Sequence, residues 1–273
     1  MEFKGKTVLV TGAGGSGSGQ GKVFALAFAA EGADVAVNDI NLDRAEATAK
    51  EIRKMGRRSI AVKADVSDES EVNAMMEKVV KELGSVNILV NNAGFGNPIL
   101  VEDMTAEQWH RVIGVNLDGT FFCSKAVIPY MKQQGGGRII NIASPAGKSM
   151  TINGCAGYTS AKAGVLGFTR HLAFEIAPYK ITVNSVCPAI MLGTENQRPP
   201  DVIQKMKENS LLGELTTPHV SAYAVLFLAS DKASLITGTN IDAHPIVSGG
   251  MDHWNAFVKR RKDFKAGKKD IIY

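Results

Sequence analysis

The chain has 273 residues, 45% of them apolar and 21% charged, close to an ordinary soluble globular protein and long enough to bury a sizeable core. No apolar run reaches the about 18 residues of a membrane span. The opening MEFKGK runs straight into a strand with no room for a secretory leader, and Cys123, Cys155 and Cys187 show no metal-ligand spacing, so they are read as reduced thiols in a cytoplasmic protein. The net charge of +4 resides in residues 252–273, where seven Lys or Arg face three Asp, so residues 1–251 sum to zero and offer no basic face for nucleic acid.

Along the chain, short β-rich runs alternate with longer helical patterns. The strand TVLV (7–10) is followed by TGAGGSGSGQGK (11–22) and by VFALAFAAEG, which sets Phe24, Ala27 and Phe28 on one helical face and ends at Gly32. Next come the strand DVAVND (34–39), the helix NLDRAEATAKEIRKMG ending at Gly56, and the strand SIAVKAD (59–65). A helix starting at Ser67 and ending at Gly84 precedes the strand VNILVNN (86–92). TAEQWHRVIGVNL opens with a capping box of Thr105 and Gln108. The strands GRIINIAS (137–144), ITVNSV (181–186) and TNIDA (239–243) complete the series. Near-continuous apolar strands indicate burial on both faces. The fold class expected is α/β: a Rossmann-type, doubly wound, mainly parallel seven-stranded sheet with helices on both faces. One dinucleotide-binding and catalytic domain is expected over residues 1–251, with a basic C-terminal extension over 252–273.

Gly12, Gly14 and Gly17 satisfy G-x-G-x-x-G between a strand and a helix, where bare backbone lets a pyrophosphate approach and the helix amino end supplies amide donors. A P-loop fails on spacing, because Ser16 stands where glycine is needed and Val23 where the magnesium-binding hydroxyl belongs. A flexible surface loop is the plain alternative. Asp39 ends the second strand, where a carboxylate can accept both ribose hydroxyls and repels a 2′-phosphate; this points to NAD rather than NADP, unless Asp39 is only a turn or cap residue.

The second informative stretch runs from Ser144, at a strand end, to Tyr158 and Lys162, four apart on an expected helix and so on one face. A phenol near pKa 10 is too weak an acid at neutrality, and a neighbouring ammonium favours its ionised form.

With these residues the chain resembles the short-chain dehydrogenase/reductase family over about residues 5–250: the glycine turn, AD at 64–65, NNAG at 91–94, Asn116 in GVNLDG, Ser144, YTSAK at 158–162 and NSVCP at 184–188. The resemblance implies Tyr158 as general acid/base and Lys162 as the residue that lowers its pKa and bonds the nicotinamide ribose. It implies Ser144 as holder of the substrate oxygen and Asn116 as anchor of a relay water. Cofactor contacts are implied for Gly12, Gly14, Gly17, Gly19, Gly21, Asp39, Asp65, Val66, Asn92, Ala93, Gly94, Tyr158, Lys162, Pro188 and Ile190, with no metal. The chemistry implied is reversible hydride transfer between NAD and a carbinol carbon, in a homo-oligomer (tetramer or dimer).

The chain departs from the family pattern in four places. The glycine turn is three residues long of the usual, Pro188-Ala189 replaces Pro-Gly with Thr194 one place late, the stretch TGTNIDAHPIVSGG is extended, and the basic tail is added. Ala146, Ile152, Asn153, Cys155, Ile190, Met191 and Leu192 form the inferred substrate lining, mostly apolar, which suggests a hydrophobic secondary alcohol or ketone. A 3-hydroxyacyl thioester comes first, then a hydroxysteroid or small cyclic alcohol. The tail KRRKDFKAGKK reads as a solvated or subunit-clasping arm, or as an attractor for a coenzyme A ester. The alternative function is a non-catalytic subunit of the same fold, its cofactor site impaired by the altered turn.

Overall fold

The computed structural model describes residues 1–15, 19–149, 151, 154–188, 199–208 and 210–244, with Asn255, Val258, Lys259, Arg261 and Lys262. Seven strands form one sheet: β1 (Thr7–Val10), β2 (Asp34–Asp39), β3 (Ser59–Lys63), β4 (Ile88–Asn91), β5 (Gly137–Ile142), β6 (Ile181–Pro188) and β7 (Asn240–Ala243). Their order is β3-β2-β1-β4-β5-β6-β7, and all six pairings are parallel, so the mainly parallel sheet expected is wholly parallel. The chain winds outward from β1 to β3, returns, and winds outward again from β4 to β7. That reversal opens a crevice at the carboxyl ends of β1 and β4.

Period-two alternation sends neighbouring strand residues to opposite layers. Val8, Val10, Val35, Val37, Ile88 and Ile140 pack under α1 (Gln20–Ala30), α2 (Leu42–Lys54) and α8 (Pro218–Ala229). Leu9, Ala36, Leu89, Ile139 and Val183 face α3 (Glu69–Leu83), α5 (Gly119–Gln133) and α6 (Ala156–Ile176). Both faces of the sheet are therefore apolar, which is why the strands read as continuous apolar runs. The remaining helices are α4 (Ala106–Ile113) and α7 (Pro200–Glu208). Among the described residues no helix is long and apolar enough to cross a membrane.

Local chemistry sets the helix ends. Thr105 and Gln108 form the expected capping box, and Gly84 closes α3 at φ 90°. The cap of α3 is Asp68, accepting from the Ser70 and Glu71 amides, one residue beyond the Ser67 expected. Ser67 is already committed, its hydroxyl donating to Asp65 at 2.7 Å.

A polar ladder crosses the interior. Asn91 Nδ2 donates to Asn141 Oδ1 at 2.8 Å and to Ser124 Oγ at 3.0 Å, and Asn141 Nδ2 donates to Thr169 Oγ1 at 2.9 Å. The ladder joins β4 and β5 to α5 and α6 with all its members buried. Replacing Asn141 by Ala removes two buried hydrogen bonds, one from Asn91 and one to Thr169, so Asn141→Ala should lower stability by about 1–3 kcal/mol. The measurement is a urea unfolding curve, in which the midpoint falls while the slope stays unchanged.

Candidate active site

The crevice is floored by the turn after β1 and by the segment after β4. Thr11 Oγ1 accepts from the Asn92 and Ala93 amides at 3.0 and 3.1 Å, and Asn92 Nδ2 donates to the Thr11 and Gly12 carbonyls at 2.9 and 3.1 Å. These bonds press the glycine turn onto the end of β4. Gly12 has φ 61°, and a Cβ there would lie 2.8 Å from Ala93 Cα. A Cβ on Gly21 would overlap the Gly12 carbonyl and stand 2.5 Å from Asn92 Nδ2. Both positions exclude side chains because backbone packs on backbone.

Gly19, at φ 66°, caps α1, with no side-chain cap and no acidic residue in the first turn. Among the described residues that amino end meets no acidic side chain, and its free amides suit an anion. Gly14 donates its amide to Asp39 Oδ2 at 3.0 Å, and the Asn41 amide reaches Asp39 Oδ1 at 3.0 Å. Asp39 is buried, so it clasps the turn as well as ending β2. Gly17 lies outside the described residues.

Across the crevice, Asp65 accepts from the Ser67 amide and hydroxyl and pairs with Arg111 at 2.9 Å. Partial burial pushes its pKa up, but the Ser67 hydrogen bonds and the Arg111 guanidinium outweigh this and hold the carboxyl below its usual range. Val66 is buried, and a Cβ on Gly119 would meet its Cγ2 at 2.7 Å.

The chemical corner lies at the carboxyl end of β5. Ser144 follows that strand and accepts from the Ala146 amide at 3.1 Å; its hydroxyl neighbours the Tyr158 phenol and favours the ionised form of that group. Tyr158 sits in the first turn of α6, and Lys162 one turn later is buried, its Nζ donating to the Ile142 carbonyl at 2.8 Å. Asn116 lies in a π-helical turn, Gly114–Asp118, between α4 and α5. Its Nδ2 donates to the Phe95 and Val112 carbonyls at 2.7 and 2.9 Å, while its buried Oδ1 has no partner. A Cβ on Gly94 would fall 2.5 Å from that orphan oxygen and 3.3 Å from Lys162 Nζ, so glycine keeps the space between them open. An uncapped helix end, a glycine floor and an orphaned amide oxygen beside a buried ammonium fit a nicotinamide dinucleotide.

Burial pushes the Tyr158 phenol above its ordinary 10; the Ser144 hydrogen bond opposes this and Cys187 adds to it. Lys162, with Nζ 5.7 Å from the Tyr158 ring centre and turned to Ile142, does not bring the phenol down in this arrangement, contrary to the expectation from sequence. Burial instead lowers Lys162 itself from 10.5 to about 8.

Pro188 ends β6, buried and in register with Ala243. Ala146 and Cys155 are buried near the corner, while Ile152, Asn153, Ile190, Met191, Leu192 and Thr194 lie outside the described residues. Three features escaped the sequence reading. Thr11 holds the crevice floor, and its only sequence signal was its place between a strand and the first glycine. Cys187 neighbours both Tyr158 and Lys162, and burial pushes its thiol up to about 12. Lys148 reaches both Asp242 oxygens at 2.8 Å, tying the turn after Ser144 to β7. Residues so far apart in sequence carry no mutual signal.

The family model described as Enoyl-(Acyl carrier protein) reductase matches residues 15–251. The 3-oxoacyl-[acyl-carrier-protein] reductase FabG of Staphylococcus epidermidis is 42% identical over 248 residues, which cover 90% of this chain and 98% of that protein. A solved 7α-hydroxysteroid dehydrogenase, complexed with NADH and 7-oxo glycochenodeoxycholic acid, superposes with TM-score 0.82 at 35% identity, covering 91% of this chain and 95% of that one. The 3-oxoacyl-[acyl-carrier protein] reductase of Brucella melitensis superposes with TM-score 0.81 at 32% identity, covering 88% and 90%.

The buried lysine has a consequence for stability. With a native pKa of about 8, Lys162 binds fewer protons than the unfolded chain between pH 8 and 10.5. Its burial cost is fully present below pH 8 and fades as pH rises to 10.5. Lys162→Met should therefore be more stable than wild type at pH 7, by on the order of 3 kcal/mol. Denaturant unfolding at pH 7, 9 and 10.5 checks this, the difference shrinking along the series.

Proposed function

Because the chain belongs to the short-chain dehydrogenase/reductase family, and is an NAD(P)-dependent oxidoreductase acting on CH-OH donors, we propose that it interconverts a hydrophobic secondary alcohol and its ketone. The observation that carries this reading is the neighbouring Ser144 and Tyr158 hydroxyls, set with buried Lys162 at the carboxyl end of β5. Two hydroxyls on one point can hold a carbonyl oxygen and exchange a proton with it. Ser144 positions the substrate oxygen, and Tyr158 gives its proton in reduction and takes it back in oxidation. Lys162 supplies positive charge below pH 8, and the orphan Asn116 oxygen holds a water that links it to solvent. A nicotinamide cofactor, when bound, exchanges the hydride at its C4.

The residues that would hold it are Gly12, Gly14, Gly19 and Gly21 at the pyrophosphate, Asp39 at the ribose, and Asp65 and Val66 at the adenine. Asn92, Ala93, Gly94, Tyr158, Lys162 and Pro188 lie toward the nicotinamide. NAD is the cofactor inferred. Each Asp39 oxygen spends one acceptor site on a backbone amide and keeps another for a ribose hydroxyl, and the carboxylate repels a 2′-phosphate. The first substrate class is a 3-oxoacyl thioester, supported by the acyl-carrier-protein reductases among the relatives; a hydroxysteroid is next. A cytoplasmic setting rests on three free, buried cysteines, and homo-oligomerisation on Phe121 and Phe174, left 42% and 80% exposed on α5 and α6.

Tyr158→Phe should lower kcat by about 10²–10⁴-fold on a 3-oxoacyl thioester while NADH binding changes little. Fluorescence titration with NADH and NADPH, followed by a screen of thioesters, keto-steroids and polyols, tests the rest. Tighter NADPH binding would overturn the NAD assignment, and a preference for polyols would overturn the substrate class.

A further inference from the structure

A second recess opens at the opposite edge of the sheet, where the amino ends of β1, β4, β5 and β6 line up. It encloses about 680 Å³ and is lined in part by Lys6, Arg138, Lys180, Thr182, Asp231 and Leu235. The register explains the clustering. Ile88 pairs with Val8 and with Arg138, and Arg138 pairs with Thr182, so these side chains share one sheet face. Lys6 stands two residues before Val8 on the chain that leads into β1, and Lys180, in the turn before β6, lines the same recess.

The polar groups of this recess are under-satisfied. Arg138 is 16% exposed, and its Nη1 donates to the Gly137 carbonyl at 3.1 Å, but its buried Nε has no partner. Its one carboxylate neighbour is Asp231 at 3.5 Å, 95% exposed, a surface pair that contributes little. Thr182 is 6% exposed, and its hydroxyl also lacks a partner. Lys6 and Lys180 pair with no carboxylate among the described residues. Lys180 adopts φ 59°, the sole non-glycine at positive φ among the described residues. Three cations against one solvent-exposed carboxylate, around two orphaned buried donors, make a site short of acceptor oxygens.

We propose that this recess binds a small oxyanion of the phosphate class at the Arg138 guanidinium, with Lys6 and Lys180 as flanking charges and the buried Arg138 Nε and Thr182 hydroxyl as donors that turn to it on binding. The site is separate from the reaction. The six residues of β5 put about 20 Å of sheet between Arg138 and the corner at Ser144, so the anion is an effector or a structural ligand rather than a substrate. Its position bridges four of the strands whose far ends carry the chemical groups.

The test is calorimetric unfolding of the full chain in a zwitterionic buffer, with inorganic phosphate or glycerol 3-phosphate added against sodium chloride of equal ionic strength. Wild type should gain roughly 5 °C or more at 100 times the dissociation constant. Arg138→Gln and the near-isosteric Thr182→Val should lose most of that gain. Lys180→Gly removes a flanking charge while suiting the left-handed backbone, so it should fold normally and bind more weakly. A gain with glycerol 3-phosphate exceeding that with phosphate would mean the group arrives on a metabolite; equal gains would mean the free ion. No anion-specific gain in wild type overturns the proposal. So does a gain kept by all three variants, which would place the ion elsewhere, for example at the glycine turn.

Discussion

The approach of the turn after β1 to the end of β4 is the constraint on which the crevice depends. Two adjacent parallel strands whose connections leave in opposite directions create a gap at their carboxyl ends. Here the gap has a fixed floor, because four hydrogen bonds tie Thr11 and Gly12 to Asn92 and Ala93 between the two strand ends. Gly12 and Gly21 let the backbones touch. Asp39 then fastens the far side of the turn through the Gly14 amide. The glycine segment is thus held at both its described ends.

The second organising feature is how polarity is buried. The Asn91–Asn141–Thr169 ladder is satisfied link by link, apart from Asn91 Oδ1, and it binds the strands that lead to the chemistry. Asn116 and Lys162 are different. One buries an oxygen without a partner, and the other buries an amine whose proton affinity falls because of it. Both costs are concentrated within a few ångströms of Gly94, where a side chain would fill the space. Strain of this kind, surrounded by an otherwise well-satisfied core, marks a place built to receive something.

The same sheet ends differently at its two edges. At the carboxyl edge, loops supply amides and the Ser144 hydroxyl, and the first turns of α6 supply the Tyr158 hydroxyl and the buried Lys162 ammonium. At the amino edge, the register sets Arg138 and Thr182 side by side, beneath the layer formed by α1 and α8. Parallel pairing without slippage makes both clusters possible, since each strand delivers its residues at one height.

Most of the fold was legible in the amino-acid order because apolar runs, glycine stops and capping residues act locally. The β1 and β2 boundaries match those expected, and the Thr105–Gln108 box formed as its spacing required. The candidate chemical residues were legible as well, since Tyr158 and Lys162 lie one helical turn apart and Ser144 stands just past β5, two residues beyond its end at Ile142. Other facts needed tertiary structure. Asp65 is drawn into an ion pair by Arg111, 46 residues away. Asp39 is buried beneath the glycine turn, Lys148 is joined to Asp242, and Tyr158 is governed by burial more than by Lys162. The sequence by itself determined periodicity, caps and the residue types available for chemistry, because these depend on near neighbours. The tertiary structure decided which distant groups meet and how deeply they are buried, and so set their charge, because desolvation and long-range pairing exist only once the layers close.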